Sequence, residues 1–369
     1  METFKLRQYH APNFDNEPFI SAPDAKLTAV IKDGVAPFDY HAISIYPEYF
    51  KVGGRWILAD ESRMDTVPVV RHQPDGGVRV DTVEFRHLKE GDLVVCGRTE
   101  DASEGIYVHA NGFLDPEKRH ETFAFRQGKS RETAFSRDYD ELYRLLKYEK
   151  EHGYVVWVMG PAFAFDHDAR DAFCELIDGG YVDAVLAGNA LATHDLEGSF
   201  LHTALGQNIY TQENVPNGHY NHLDAINRVR YYGSVAEFLK GEKIKDGIIY
   251  HLEKNQVPYV LGGSIRDDGP LPPVYGNVYE AQDAMRSHVR KATTVICMAT
   301  TLHTIATGNM TPSFRVLPDG TIREVYFYCV DIAEFTVNKL ADRGSLSSRG
   351  IVTNVQDFIV NIARGLKKS

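Results

Sequence analysis

The spacing of apolar and polar positions divides the chain into two parts of different character. From residue 131 onward, stretches with apolar residues at helical spacing alternate with short continuous apolar runs. The predicted helices are Asp138–Glu151, Asp166–Asp178, His222–Lys240 with a break at Gly233, Ile244–Asn255, Val278–Lys291, Ile332–Leu340 and a C-terminal helix near Val355. The predicted strands are Tyr154–Val158, Val182–Leu186, Pro258–Leu261, Thr293–Met298 and Glu324–Val330. Such alternation is typical of an α/β domain with a mostly parallel sheet covered on both faces.

The first 130 residues follow a different pattern, with many turn residues and short alternating segments. The predicted strands are Ala42–Tyr46, Arg55–Leu58, Val78–Phe85, Leu93–Cys96, Ile106–His109 and Thr122–Phe125. Between two of them, Pro74-Asp75-Gly76-Gly77 predicts a hairpin turn. We therefore predict a smaller β-rich domain over residues 1–130, ahead of the α/β domain over residues 131–369. The aromatic-rich stretch 36–60 belongs either to a packed sheet or to a surface that contacts substrate or another subunit.

Composition and charge narrow the range of partners. The 369 residues are 43% hydrophobic and 25% charged, as in globular proteins rather than disordered chains. The formal net charge of −11 argues against nucleic acid and against an anionic membrane surface as partners. The first residues lack the apolar core of a signal peptide, and the run Val155–Phe165 is too short to span a bilayer. We expect a cytoplasmic protein.

Cysteine and histidine spacing gives no sign of a metal centre. The four cysteines are far apart and form no CxxC motif, so we expect them to be buried apolar side chains. They are Cys96, Cys174, Cys297 and Cys329. His219 lies in a predicted loop and His222 at the first residue of a predicted helix, so no shared helical register directs both rings at one ion. We therefore expect no bound metal.

The residues that follow the predicted strands are the candidates for ligand binding, because ligands bind beyond the carboxyl ends of strands in open α/β sheets. They are Met159-Gly160-Pro161, residues 187–190, residues 262–269, residues 299–303 and Asp331. Glycines let a ligand approach the backbone, and free N–H groups at helix starts suit a pyrophosphate. Turns of this kind are rich in glycine and small polar residues in all such folds, but their recurrence at several exits favours a nucleotide site.

Neither of the two common phosphate-binding motifs is present, since the chain contains no GxGxxG and no GxxxxGK[ST]. A dinucleotide would therefore need a different binding arrangement. Asp268 and Asp331 lie at strand exits, where a carboxylate accepts hydrogen bonds from ribose hydroxyls or acts as a helix N-cap. Asn189, His194 and Asp195 lie in a dense polar cluster after the second strand, which is either a site or an ordinary surface helix.

Three motifs resemble those of one known family. They are LAGNALATHDLE at residues 186–197, GGSIRDDG at residues 262–269 and MATTLHTIATGN at residues 298–309. They resemble the archaeal-type ornithine cyclodeaminase family, which is related to the bifunctional lysine-ketoglutarate reductase/saccharopine dehydrogenase proteins. The same family forms the cyclodeaminase part of cyanobacterial arginine dihydrolase fusions. The resemblance covers residues 80–369.

The resemblance implies a Rossmann-like NAD-binding domain similar to that of deoxyhypusine synthase, which lacks the usual glycine motif. It also implies cofactor contacts, most of which fall on strand exits. They are Asn189, Ala190, Asp268, Thr300, Thr301, Leu302, His303, Asp331, Asn354 and Val355. A small basic amino acid as substrate and a homo-oligomer are further expectations.

The implied reaction converts L-ornithine to L-proline and ammonia, with NAD reduced and reoxidised within one turnover. It needs an acid or base near the amines, for which Asp195 and Glu197 are candidates, and a cation for the substrate carboxylate, for which Arg266 is a candidate. The two carboxylates can instead be helix surface charges, and Arg266 can be paired with Asp267 or Asp268. Two alternatives stay open: an NAD-dependent amino-acid dehydrogenase of the saccharopine type, and a non-enzymatic NAD- or amino-acid-binding module.

Overall fold

Two small antiparallel sheets make up the first part of the chain. The structure is a computed structural model that describes residues 4–113, 136–267, 269–334, 336–337 and 345–368. The first strands are β1 (Lys26–Ala29), β2 (Glu48–Val52), β3 (Arg55–Leu58), β4 (Val67–His72), β5 (Val78–Val83), β6 (Leu93–Cys96) and β7 (Ile106–Val108). They form a four-stranded sheet in the order β1-β6-β4-β5 and a three-stranded sheet in the order β3-β2-β7. Side chains from both sheets, among them Phe50, Val70 and Val95, share one hydrophobic core.

Most of the strands predicted in this part coincide with observed ones. β3 and β6 have their predicted bounds, and β5 and β7 begin as predicted but end slightly earlier. The predicted hairpin turn joins β4 to β5: Gly76 has a φ of +81°, and the N–H of Gln73 donates to the carbonyl of Gly77. The predicted strand Thr122–Phe125 and the boundary at residue 130 lie outside the described residues. The division into two domains therefore stays a prediction.

The prediction of a strand at Ala42–Tyr46 is wrong. Side chains satisfy the backbone locally in this segment, because the N–H of Ser44 donates to the Glu48 carboxylate and the N–H of Tyr46 donates to the Ser44 hydroxyl. The strand begins only at β2. The sequence pattern also missed β4, since its first four residues are all buried and show no polar–apolar alternation.

Helices and strands alternate in the second part of the chain. Its helices are α1 (Ser136–His152), α2 (His167–Asp178), α3 (Asn189–Leu201), α4 (Asn221–Tyr232), α5 (Val235–Gly241), α6 (Ile248–Lys254), α7 (Val278–Val289), α8 (Thr301–Met310) and α9 (Val355–Lys368). Its strands are β8 (Val155–Met159), β9 (Ala184–Gly188), β10 (Thr203–Ala204), β11 (Gln207–Asn208), β12 (Tyr259–Gly262), β13 (Thr294–Met298), β14 (Phe314–Val316), β15 (Ile322–Glu324), β16 (Tyr326–Asp331) and β17 (Ser347–Val352). The predicted break at Gly233 is confirmed, since this residue ends α4 with a φ of +80°. Part of the predicted helix Ile332–Leu340 lies outside the described residues.

Six of these strands form one parallel sheet in the order β12-β9-β8-β13-β16-β17. Of these six strands, β8 comes first in the sequence and lies inside the sheet. The next two in sequence, β9 and β12, lie on one side of β8, and β13, β16 and β17 lie on the other side. This is the strand order of Rossmann folds, and the order reverses between β8 and β13. The predicted α/β class with a mostly parallel Rossmann-like sheet is confirmed. The edge strand β17 was not predicted, because only Ser347 and Ile351 of its six residues are fully buried.

Helices cover both faces of this sheet. All five residues of β8 are buried, which explains its continuous apolar run. Trp157 belongs to the core that includes side chains of α1, α2, α3 and α9, whereas Val156 and Val158 belong to the core that includes α7 and α8. Among the described residues, no helix is both long enough and apolar enough to cross a membrane.

Charged side chains join the β-rich part to α7 of the second part. Among the described residues, these pairs include Arg86 with Asp283, Arg286 with Glu84, and Glu61 with Arg290, which directly follows α7. Because the pairs follow one another along α7, they fix the position of the β-rich part along this helix.

Candidate functional site

The carboxyl ends of the parallel strands lie side by side along one edge of the sheet. Met159 of β8 pairs with Ala187 of β9 and with Met298 of β13, and Gly262 of β12 pairs with Gly188 of β9. The segments that follow these strands are therefore neighbours in space, as the topology predicts. The candidate cofactor contacts lie at or directly after these strand ends, except Asp268, which is outside the described residues.

The backbones of β8 and β13 come together where the strand order reverses. The N–H of Gly160 donates to the Met298 carbonyl at 2.9 Å, and a Cβ atom at position 160 would lie 1.9 Å from the Ala299 carbonyl oxygen. Only glycine fits in this position. Ala299 has a φ of +52°, in the left-handed region that few non-glycine residues adopt. Strained backbone of this kind is concentrated at functional sites.

Helix α8 begins at this edge, and no side chain of the described residues caps its first turn. Thr300 precedes the helix, and the next two residues, Thr301 and Leu302, are exposed, Leu302 with 76% of its surface accessible. Within the described part of the chain, the first N–H groups of the helix therefore have no side-chain acceptor. A helix start of this kind suits an anionic group, and the exposed leucine beside it offers an apolar contact.

His303, in the first turn of α8, reaches the exits of two other strands. A Cβ atom added at Gly188 would lie 3.0 Å from Cε1 of His303, and one added at Gly262 would lie 3.7 Å from Nε2. The imidazole therefore fills the space that side chains at these two positions would take. Burial lowers the pKa of His303 below its ordinary value, which leaves the ring neutral at pH 7. The ring has no hydrogen-bond partner within the part of the chain that the structure describes.

Asn189 is buried at the start of α3, where it ties the segment after β12 to the helix. Its Oδ1 accepts a hydrogen bond from the N–H of Leu271 at 3.0 Å and one from Thr193 Oγ1 at 3.3 Å. Its amide nitrogen makes no hydrogen bond to a described residue, so this donor is the group left for a ligand. Ala190, the next residue, is half-buried.

The candidates at the ends of β16 and β17 have local structural contacts. Asp331 Oδ1 accepts from the N–H of Ala333 at 2.9 Å. Asn354 Oδ1 accepts from the N–H of Gln356 at 2.8 Å and so caps α9, while Val355 lies in the hydrophobic core. The contacts of these three residues with a cofactor stay predictions, because their positions at the edge allow contact and their present bonds do not require it.

Asp195 is fully buried in a position that favours a structural role. Its Oδ1 accepts from Arg170 Nε at 3.0 Å and from the N–H of Ile248 at 3.0 Å, and its Oδ2 accepts from the N–H of Ile249 at 2.8 Å. The side chain thus joins α2, α3 and the start of α6. A carboxylate without an exposed atom does not reach a substrate, so these contacts speak against the acid–base role expected from the sequence. They also correct the alternative of a surface charge.

Glu197 is likewise fully buried, and its carboxylate organises the turn after α3. Oε1 accepts from Thr203 Oγ1 at 2.8 Å and from the N–H of Gly206 at 3.1 Å. Oε2 accepts from the N–H of Leu205 at 3.0 Å and lies 3.1 Å from Nδ1 of His194, which is 8% exposed. Of this pair, the imidazole is the group that keeps a small exposed surface, since the carboxylate has none. The sequence analysis did not pair His194 with Glu197, although their spacing of three residues on one helix is a signal that could have indicated the contact.

Arg266 lies in a turn just after β12, and its side chain is exposed. Its N–H donates to Ser264 Oγ at 3.1 Å, and the N–H of Ser264 donates to Asp267 Oδ2 at 2.8 Å. Asp267 therefore binds the backbone of the turn. Within the described ranges the guanidinium of Arg266 has no ion-pair partner, which leaves it available to a carboxylate.

The cysteines and histidines give no candidate metal centre among the described residues. All four cysteines are buried and unpaired, as expected. Burial raises the pKa of Cys174 and raises that of Cys329 to about 12, so both thiols stay protonated at neutral pH.

The strand order and the glycine exits define the class as a Rossmann-fold protein with a candidate dinucleotide site at its carboxyl edge. Two family models give the family. Residues 142–362 match the C-terminal Rossmann fold of ArgZ-like arginine dihydrolases, and residues 47–133 match the first region of the same C-terminal part. The chain belongs to this ArgZ-like C-terminal family, together with the archaeal ornithine cyclodeaminases, and the resemblance seen in its motifs is confirmed.

Relatives match nearly the whole chain. An ornithine cyclodeaminase of Methanopyrus kandleri is 37% identical over 358 residues, which cover 95% of this chain and 80% of the relative. The crystal structure of an LOR/SDH protein from Methanococcus maripaludis S2 is 35% identical to this chain, with a TM-score of 0.81. The match covers 94% of this chain and 99% of that protein. AgrE is a bifunctional arginine dihydrolase/ornithine cyclodeaminase of Nostoc sp.. An AgrE structure solved as a ternary complex with ornithine and NAD+ is 34% identical to this chain, with a TM-score of 0.58. That match covers 94% of this chain and 46% of AgrE.

Proposed function

We propose that this protein is an ornithine cyclodeaminase, which converts L-ornithine to L-proline and ammonia with NAD as a recycled cofactor. The observation that carries the proposal is the convergence of Gly160, Gly188, Gly262 and the uncapped start of α8 on one edge of a Rossmann sheet. Family membership supports it, because AgrE has been solved with ornithine and NAD+.

The residues at this edge fit a dinucleotide without the usual glycine motif. A 3-10 helix, Pro161–Phe165, follows β8 where that motif normally lies, so the start of α8 is our candidate for holding the phosphates. Further contacts fall on the residues implied by the family pattern. They are Asn189, Ala190, Asp268, Thr300, Thr301, Leu302, His303, Asp331, Asn354 and Val355. When bound, NAD accepts a hydride from the substrate and returns it in the same turnover.

Arg266 is the candidate for binding the substrate carboxylate. Its exposed guanidinium has no competing ion pair among the described residues, and its planar donors match a carboxylate in a bidentate contact. Holding this end fixes Cα at the edge and leaves the side-chain amine free to fold back. Once Cα is an imine, that amine attacks the imine carbon, closes a five-membered ring and releases ammonia. The protein contributes orientation and proton transfer.

Product analysis tests the proposal. The protein is incubated with ornithine and NAD, and ammonia, proline and NADH are measured together. We expect equal amounts of ammonia and proline with no lasting rise in NADH, and far less ammonia from a diamino acid shortened by one carbon. Stoichiometric accumulation of NADH, with no proline formed, would assign an amino-acid dehydrogenase instead. The homo-oligomer, the cytoplasmic location and a role in proline biosynthesis stay predictions.

A further inference from the structure

A chain of hydrogen bonds ends on His194. Asn221 Nδ2 donates to Thr203 Oγ1 at 2.8 Å, and Thr203 Oγ1 donates in turn to Glu197 Oε1 at 2.8 Å. The other oxygen, Oε2, lies 3.1 Å from His194 Nδ1. Two backbone N–H groups of the following turn also donate to this buried carboxylate. Since a carboxylate supplied with donors in this way acts only as acceptor, it fixes the imidazole proton on Nδ1.

Nε2 of His194 is consequently the proton-accepting atom of the ring, and it has no partner among the described residues. The ring lies 5.4 Å from the ring of Phe165, which ends the 3-10 helix that follows β8. His194 lies five residues after Asn189, the first residue of α3, which is about 7.5 Å along the helix axis at 1.5 Å per residue. Side chains on a helix lean toward its N-terminus, which for α3 is the edge where the substrate carboxylate would bind.

A second imidazole points to a ligand in the same space. The ring of His222, on α4, lies 6.3 Å from that of His194, and its Nδ1 is buried without a hydrogen-bond partner among the described residues. Buried polar atoms are nearly always hydrogen-bonded in native proteins, so this atom calls for a polar partner. The His222 ring, the Glu197 carboxylate and the Phe165 ring all lie beside His194.

We propose that His194 Nε2 accepts the proton that the substrate α-ammonium group loses, an assignment that rests on the proposed function. The N–H proton moves to Nε2, the nitrogen lone pair forms the C=N bond, and the Cα–H electron pair leaves as hydride to NAD+. The products are the iminium form of the substrate, NADH and the imidazolium, so charge and electrons balance. Glu197 is a positioning residue, because it is fully buried and acts only through His194.

His194→Ala tests the assignment by kinetics. We expect kcat to fall by about 10²- to 10⁴-fold, the usual contribution of one acid–base group, with NAD affinity in calorimetry and thermal unfolding close to wild type. Added imidazole should restore part of the lost rate. The matched control is His251→Gln, because His251 also pairs with a carboxylate, Asp178 at 2.9 Å, but lies on α6 away from this network. Its kcat should stay at the wild-type level.

Glu197→Gln tests the positioning role through a readout that needs no turnover. Nitrogen-15 spectra of histidine-labelled protein should show the Nδ1–H tautomer of His194 in the wild type and its loss in Glu197→Gln. A wild-type kcat for His194→Ala, a loss of NAD affinity that accounts for its lower rate, or the Nε2–H tautomer in the wild type would overturn the assignment.

Failure of the proposed function gives a different pattern of results. If the wild-type protein reduces NAD with an amino acid and NADH accumulates without proline, the cyclodeaminase proposal fails, and the same variants assayed by NADH formation still decide the role of His194. If no amino acid is turned over, both proposals are overturned.

Discussion

Asp195→Asn removes a negative charge from the interior while it keeps the shape of the side chain. Arg170, whose Nε donates to Asp195 at 3.0 Å, is fully buried as well and would lose the nearer of its two carboxylate partners and the only one that is buried. The new amide would also face the N–H groups of Ile248 and Ile249 at the start of α6. Breaking a buried ion pair by removing one partner costs about 3–5 kcal/mol, so we expect a loss of that size in the free energy of unfolding.

Asp246→Asn is the matched control for this substitution. Asp246 lies 3.5 Å from Nη1 of the same Arg170, but its side chain is 44% exposed. Exposed ion pairs contribute about 0–1 kcal/mol, so this variant should unfold close to wild type. Equilibrium urea unfolding followed by circular dichroism compares both variants with the wild type at one pH. The midpoint should fall strongly for Asp195→Asn and little for Asp246→Asn.

Activity measurements on the same samples separate a structural role of Asp195 from a chemical one. We expect the folded fraction of Asp195→Asn to keep a kcat near wild type. A variant that unfolds at the wild-type urea concentration but turns ornithine over slowly would refute the structural role and restore the acid–base role. The double variant Arg170→Met with Asp195→Leu should recover part of the lost stability, because apolar residues of similar volume often replace a buried pair without loss.

Three further outcomes are expected. Gly160→Ala should abolish NAD binding in calorimetry, because its Cβ would lie 1.9 Å from the Ala299 carbonyl oxygen. The control Gly276→Ala should bind NAD normally, because no atom lies within 4 Å of the added Cβ. Equal NAD binding by the two variants would contradict this prediction. Arg266→Gln should raise KM for ornithine by about tenfold with little change in kcat, because it removes one charge-assisted contact to the substrate. A change in kcat alone would argue against a role of Arg266 in binding the carboxylate. Burial acts to raise the pKa of Asp178, but hydrogen bonds led by the one from His251 lower this pKa to about 2. The ionised Asp178 therefore stabilises the folded state fully above its unfolded pKa of about 3.9, and this stabilisation is lost as the pH falls through 2. Urea midpoints of wild type and Asp178→Asn should therefore converge between about pH 5 and pH 2, and a constant difference would contradict the shift.

Some strands of the six-stranded sheet can be predicted from their sequence, and others cannot. All five residues of β8 are buried on both faces of the sheet, so their apolar run alone predicts a strand. β17 has no such run, because it forms the edge of the sheet and packs only in part. Its Gly350 lies so close to Val337 that a Cβ would come within 2.1 Å of Cγ1, a contact that only the folded chain defines.

The candidate site divides in the same way. The convergence of the strand exits could be predicted, because parallel strands place their carboxyl ends on one edge whatever their exact bounds. The contacts of Asp195 could not, since Arg170 lies 25 residues and Ile248 lies 53 residues away in sequence. One local signal was available: α3 carries small and apolar residues on all sides, and a charge within such a helix is buried and needs a partner.

The central claim is that the hydride taken from Cα of ornithine is returned to the same substrate. Ornithine that carries deuterium at Cα tests it directly, with mass spectrometry of the proline formed and of the cofactor. We predict that proline retains the deuterium at Cα, with an equal amount of ammonia and no accumulated NADH. Deuterium in accumulating NADH, or proline that has taken its Cα hydrogen from solvent, would contradict the claim.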